Sequence, residues 1–389
     1  MKTIFLTAYR SLIGNGLKTW LNVSVLSVSF VLIIFMQGLL EGWSRQAVTD
    51  AIAWEVGGGQ LRSEAYDPYD PFTLDSAAQP IPQYIAQLVR EQKAAAILIT
   101  QASIYPNGRM QNIMLKGIAH EQNILQLPTQ HLKPLQGTIP VIIGTHMAKQ
   151  THLAQGDVLT LRWRNQYGAF EATDVVIANV FQTTVPTVDN GQMWIDLSTL
   201  QNMTQRFDQA TLAVVAPDII PVAMDKWRFE NTYELTKQTL AMVEAKSGGM
   251  AIFYAIFLML ALISIFDTQT LSIFRRQREI GTLVALGMTQ KRVQMLFTLE
   301  GTMNALLAIA LGCVYGVPLF IYFANNGIAL PMDVSDFGLP IGDKMYPLFT
   351  AKLIASTVVF IITITAIVSY IPARKIAKMN PTEAIRKRG

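Results

Sequence analysis

Residues 274 to 292 read FRRQREIGTLVALGMTQKR and follow directly on a long apolar run. Five of these residues are Lys or Arg, the centre is a small apolar patch ending in Ala285, Leu286 and Gly287, and a second apolar run begins near Gly301. From Glu279 onward, Ile280, Leu283, Val284 and Leu286 recur at helical spacing. Glu279 falls in the first turn, where the helix dipole favours a negative charge by ~0.3 to 1 kcal/mol. Gly287 suits a left-handed C-terminal cap, and Thr289 is placed to cap a following helix through Val293, Leu296 and Phe297. Isolated helices shorter than about 12 to 15 residues are marginal in water. The apolar face of this one must therefore lie on lipid, on the rest of the chain, or in a groove of another protein.

Working outward, four runs reach the roughly 20 apolar residues needed to cross about 30 Å of hydrocarbon: residues 20–40, 250–273, 301–324 and 350–371. Lys and Arg cluster in the segments flanking them: Lys2, Arg10 and Lys18; Arg275, Arg276, Arg278, Lys291 and Arg292; and Arg374, Lys375, Lys378, Arg386, Lys387 and Arg388. The positive-inside rule makes segments 1–19, 274–300 and 372–389 cytoplasmic. Residues 41–249 and the acidic loop 325–349, with Asp333, Asp336 and Asp343, are then external. Phe5, Tyr9, Leu12 and Ile13 share one helical face, as expected of an amphipathic segment on the inner leaflet. The first run reads as an uncleaved anchor, because the small-residue triplet Ala51-Ile52-Ala53 lies more than ten residues beyond it.

Composition agrees with a membrane anchor joined to a water-exposed domain. The 389 residues are 51% hydrophobic and 15% charged, and the mean hydropathy is +0.31, too apolar for an ordinary soluble protein. The net charge of +4 is accounted for by lipid head groups facing the basic segments, without nucleic acid. The single cysteine, Cys313, lies in the third run, so the external domain must fold without disulfides.

Residues 41–249 change texture to short, β-branched, alternating runs separated by Gly, Asn, Pro and Asp, among them AAAILITQASIY (94–105), MQNIMLKGIA (110–119) and ATDVVIANVFQTT (172–184). Helices are expected at 82–91 and 145–154, giving a mixed α+β domain. Its chemical motifs are weak. YDPYDPF at 66–72 repeats two acids three apart, but a metal would need further oxygen ligands, and a solvated linker is the simpler reading. His120, His131, His146 and His152 form no zinc signature, since HEQNI at 120–124 lacks the second histidine. No G-x-S-x-G elbow and no G-x-x-x-x-G-K-[ST] loop occurs, so no metal site, no catalytic residue and no ATP hydrolysis by this chain is expected.

RRQREIGTLVALGMTQKRVQMLFTLEG (275–301) closely resembles the signature of the FtsX/MacB-type ABC permeases, and YIPARKIAKMNPTEAIR (370–386) resembles the ending of the same superfamily. VIIGTHMAKQTHLAQGDVLTL (141–161) and DNGQMWIDLSTLQNM (189–203) resemble its periplasmic core domain. The resemblance implies that Arg276, Arg278, Glu279, Ile280, Gly281, Leu283, Ala285, Leu286 and Gly287 belong to a coupling helix that docks on a separate ATPase. It also implies a C-terminal cytoplasmic motif with Pro372, Arg374, Pro381 and Glu383, and a place in the inner membrane with the large domain in the periplasm. ATP and Mg would be bound by two copies of the ATPase partner, with no cofactor on this chain, and a second permease, identical or related, would complete the bundle. Within the superfamily, QASIYPNGRMQNIMLKGI (101–118) is most similar to the lipoprotein-releasing LolC/LolE subunits, which implies mechanotransmission and lipoprotein cargo. The hairpin near Arg164 and Glu171 is shorter than the hook with which one Lol subunit recruits a periplasmic carrier. The alternatives are a MacB-like efflux permease working with a periplasmic adaptor, and an FtsX-like regulator of a cell-wall hydrolase. Asp267 is the one acid within the four runs; it is a candidate intramembrane polar site, although its place near the span end also suits contact with head groups.

Overall fold

The structure is a computed structural model that describes residues 16–134, 137–222, 224–275, 282, 287–329 and 344–377. The chain divides into two compact units. One is helical, Met1–Trp43 with Glu244–Ile328 and Met345–Gly389; the other is built on a sheet, Ser44–Val243 with Ala329–Lys344.

Nine strands form the main sheet: β1 Gly59–Ser63, β2 Ala94–Ile104, β3 Gln111–Ile118, β4 Pro140–Gly144, β5 Val158–Arg164, β6 Phe170–Phe181, β7 Gln192–Asp196, β8 Leu212–Val215 and β9 Trp227–Asn231. Their order is β9-β1-β8-β2-β3-β7-β4-β6-β5, and a further pairing of β5 with β2 (Ala102↔Trp163) closes six of them into a ring. The β3–β7 and β4–β6 pairs are parallel, the latter with a register shift between Val141 and Ile142.

Successive residues of these strands enter different cores, which explains the nearly continuous apolar runs. Leu98, Ile104, Leu115, Val141, Ile143 and Ile195 fill one. Ile97, Ile99, Ile118, Ile142 and Trp194 fill the other. The expected helices are present as α2 Gln83–Arg90 and α3 Thr145–Thr151, the second ended by His152 in the left-handed region (φ 55°). Helix α4, Leu197–Thr204, starts on Asp196, whose carboxylate accepts from the backbone N–H of Ser198 (3.1 Å) and Thr199 (3.3 Å). The short hairpin is as read, with Arg164 opposite Phe170. YDPYDPF is more ordered than a linker. Asp67 accepts from the Tyr69 N–H and Asp70 from the Phe72 N–H, both at 2.9 Å, so the acids shape turns.

The long helices are α1 Gly16–Ala51, which continues as a π-helical turn Ile52–Val56, then α5 Thr232–Arg275, α6 Gln290–Asn326 and α7 Ala351–Ala377. Among the described residues three stretches are long and apolar enough to cross a membrane: Thr19–Val56, Gln290–Asn326 and Ala351–Arg374. The expected span 250–273 lies within α5 and is not one of these three candidates, so three of the four expected spans have a counterpart among the described residues. In the helical unit, Gly312 and Gly316 stand one turn apart on α6 where α1 approaches. A Cβ at Gly312 would sit 2.8 Å from Phe30 Cδ1, and one at Gly316 would sit 2.9 Å from Val31 Cγ2. Small residues at such spacing let helix backbones approach closely in an apolar medium.

Candidate functional site

The segment between α5 and α6 carries most of the predicted site. Arg276, Arg278, Glu279, Ile280, Gly281, Leu283, Ala285 and Leu286 lie outside the described residues, as do Pro381, Glu383 and the amphipathic segment containing Phe5 to Ile13. Gly287 is described. Its φ of +95° is one that side-chain-bearing residues rarely adopt, and nothing lies within 4 Å of where a Cβ would be. Backbone conformation, not crowding, therefore requires glycine there. Thr289 occupies the N-cap position of α6, and its carbonyl accepts from the Arg292 N–H at 2.9 Å and the Val293 N–H at 3.2 Å. Its side chain makes no capping bond, so the expected position holds while the expected hydroxyl contact does not.

Helix α6 then sorts its residues by face. Lys291 and Arg292 are exposed, and Val293, Leu296 and Phe297 are buried. The buried stripe continues through Glu300 and Asn304, both polar and at most 8% exposed. Sequence reading passed over this pair, Glu300 falling just outside the run 301–324 and Asn304 inside it. The available signal was the spacing: Glu300 and Asn304 follow Val293, Leu296 and Phe297 at three- and four-residue steps, on the face those residues bury. Asp267 is exposed on α5. On α7, Pro372 is buried inside the helix and Arg374 is exposed.

The sheet unit holds a separate cleft of about 900 Å³, lined by the π-helical turn, β1, the 66–69 turn, β9 and the start of α5. A π-helical turn is an uncommon local geometry that often marks functional positions. Five carboxylates line the cleft, Glu55, Glu64, Asp67, Glu230 and Glu234, against two guanidinium groups, Arg62 and Arg228. Both arginines pair with Glu230, Arg62 at 2.9 Å, leaving acids in excess and a negative potential in the concavity. Arg62 also lies over the Tyr66 ring, 5.8 Å from its centroid. Burial raises the Tyr66 pKa, while the nearby Arg62 charge pulls it down. At the cleft edge Thr187 donates to Glu55, and its carbonyl accepts from Lys116 Nζ at 3.3 Å. Lys116 lies over Trp194, and desolvation lowers its pKa.

Elsewhere in this unit the titratable groups serve structure. His120 Nδ1 lies 2.8 Å from Asp196 Oδ1. Asp189 accepts from the N–H of His146 (2.8 Å) and of Met147 (3.0 Å), capping α3, and burial raises its pKa against the pull of those bonds. Arg206 donates to the carboxylate and the carbonyl of Asp75, both at 3.0 Å. Among the described residues no group of three His, Cys, Asp or Glu is placed to hold a metal.

Residues 251–381 match the family model of the FtsX-like permease C-terminal domain. A Bacillus subtilis protein, ABC transporter permease YtrF, is 27% identical over 41% of this chain and 41% of its own length. The macrolide export ATP-binding/permease protein MacB of Haemophilus ducreyi is 20% identical over 98% of this chain and 56% of its own. The chain thus spans about half, or less, of the length of the curated relatives it matches. These matches support the FtsX/MacB-type ABC permease superfamily, and together with the apolar helices they indicate a membrane protein.

Proposed function

We propose that this chain is the membrane-embedded permease of an ABC transporter and moves its sheet unit when a separate ATPase closes. The observation that carries this reading is the α5–α6 connection. It is short and basic, it includes Gly287 held at a positive φ, and it ends on a helix that exposes Lys291 and Arg292 at its start. A short, cation-edged connection within a segment matching an FtsX-like permease domain suits docking on a soluble partner. In this account Glu279 to Leu286 form the docking helix, ATP and Mg stay on two ATPase subunits, and a second permease completes the bundle in the inner membrane. The helices carry force, and cargo need not cross the bilayer.

The cargo we favour is an acylated protein drawn from the outer leaflet. Each buried CH₂ of an acyl chain holds it by about 0.8 kcal/mol, so several chains resist spontaneous release and ATP coupling is useful. The short β5–β6 hairpin argues against handover to a carrier that needs a long hook. A second reading, efflux of a small molecule or peptide with a periplasmic adaptor, is favoured by the similarity to a macrolide export protein across 98% of this chain. Regulation of a wall hydrolase is a third.

Mass spectrometry of everything that co-purifies from native membranes, with nucleotide hydrolysis blocked, separates these readings. A Walker-motif ATPase with a lipoprotein is the expected result. The same ATPase with an adaptor indicates efflux, and with a hydrolase indicates regulation. Absence of any ATPase overturns the proposal.

A further inference from the structure

Polar side chains within the helical unit fall into two sets. In the first, each hydroxyl has found an acceptor. Ser27 Oγ donates to Tyr315 Oη at 3.0 Å, and Thr357 Oγ1 donates to Gln37 Oε1 at 2.9 Å. Thr298, Thr302 and Thr363 donate to the carbonyl four residues back, at 2.8 to 2.9 Å. In the second set, Thr270 Oγ1 on α5, Asn304 Oδ1 on α6, and Thr365 Oγ1 and Ser369 Oγ on α7 are buried with no partner among the described residues. Thr365 and Ser369 are fully buried and Asn304 is 8% exposed.

Three of these four stand on α6 and α7. Thr365 and Ser369 are one turn apart on the buried stripe of α7, with Thr357, Ile361 and Ala373. Asn304 is one turn beyond Glu300 on the buried stripe of α6. Ala305, beside Asn304, belongs to an apolar cluster against which Val368, beside Ser369, packs. Asn304 lies in the half of α6 nearer segment 274–300 and Ser369 in the half of α7 nearer segment 372–389, with Thr365 at the middle of α7; force from a docked ATPase would enter through those segments.

A helical Ser or Thr ordinarily bonds its own backbone carbonyl, as the first set does. Giving up that bond in water-poor surroundings is costly, and such costs persist where another arrangement uses the groups. We propose that Asn304, Thr365 and Ser369 form a polar latch between α6 and α7, unpaired in the arrangement described here and closed when α6 shifts against α7. On closure a Thr365 or Ser369 hydroxyl donates to Asn304 Oδ1. The latch rests on the reading of the chain as an ATPase-driven permease, because that partner drives the shift.

The test is the double substitution Thr365→Val/Ser369→Ala, with Thr363→Val as a control whose hydroxyl is already bonded. Two quantities are read: the thermal midpoint of the full chain in detergent, and nucleotide turnover of the complex purified with its ATPase and reconstituted in lipid. The latch predicts a midpoint equal to or above wild type, because orphan polar atoms have been replaced by apolar ones of similar shape. It also predicts turnover lowered about fivefold or more, the usual scale of coupling between distant sites, with the control unchanged in both. A midpoint several degrees lower would mean that the hydroxyls already make stabilising contacts, and wild-type turnover would mean that no step needs them; either overturns the latch. If the wild-type chain carries no ATPase, the functional reading itself has failed and the latch with it, a result visible before any variant is compared.

Discussion

Asp189 in the sheet unit and Asn304 in the helical unit are both more than nine-tenths buried, yet their surroundings treat them differently. The Asp189 carboxylate takes two backbone N–H groups and fixes the start of α3. Asn304 Oδ1 takes none, and neither Thr365 nor Ser369 on α7 has a partner. In the sheet unit Asp189 and Asp196 each fix a helix start, although Ser63 Oγ, His146 Nδ1 and Gln192 Oε1 are buried there with no partner among the described residues. In the helical unit some hydroxyls are saturated, while Thr270, Asn304, Thr365 and Ser369 each keep a buried atom without a partner among the described residues. On the proposed latch, the sheet unit would be moved whole while the helical unit rearranges.

The first way to break this contrast is at Gly144. A Cβ there would lie 2.0 Å from Asp189 Oδ1, so Gly144→Val expels the carboxylate and uncaps α3. Overpacking plus the lost cap should cost about 3 kcal/mol, read as a lower urea midpoint of tryptophan fluorescence. In the helical unit Gly312→Val forces Phe30 off α6. A cost of about 1 to 3 kcal/mol is expected, seen as a lower thermal midpoint in detergent. If the Gly312 variant proves the more damaging of the two, the contrast between a fixed and a yielding unit fails.

A smaller effect is expected with pH. The folded-state pKa of Asp189 is raised above its unfolded value, chiefly by burial. Its contribution to stability is therefore full below the ordinary carboxylate range and declines as pH rises through the raised value. Asp189→Asn should remove that decline, flattening denaturation midpoints across the mildly acidic range; an unchanged slope would mean that another group titrates. The smallest effect is expected at Asp267, exposed on α5. Asp267→Asn should leave insertion, ATPase binding and turnover within error, and a variant that binds its ATPase but does not turn over would make this acid part of the mechanism.

Much of the sheet unit was legible because strand periodicity and turn residues are local signals. The runs at 94–105 and 110–119 became β2 and β3, and Thr145 opens α3 as expected. Ring closure through Ala102 and Trp163 was not legible, since it joins residues some sixty positions apart whose local patterns carry no mark of the pairing. YDPYDPF reads from sequence as a solvated linker, whereas the structure uses its acids as turn acceptors; the alternation of Asp and Pro fits either use. At the candidate site, Gly287 and the N-cap position of Thr289 could be read from helix-end rules. Glu300 and Asn304 were missed because hydropathy averages over a window and dilutes two polar residues among apolar neighbours.

The central claim is that the α5–α6 connection docks an ATPase, and Glu279→Arg tests it most directly. The wild-type and variant chains, expressed at matched levels and both inserted in the membrane, would be captured with nucleotide hydrolysis blocked and the bound ATPase quantified. The account predicts about a tenfold loss of bound ATPase, equivalent to roughly 1.4 kcal/mol of docking energy, with insertion and the thermal midpoint unchanged. Equal amounts of ATPase on both chains would contradict it and place the coupling surface elsewhere.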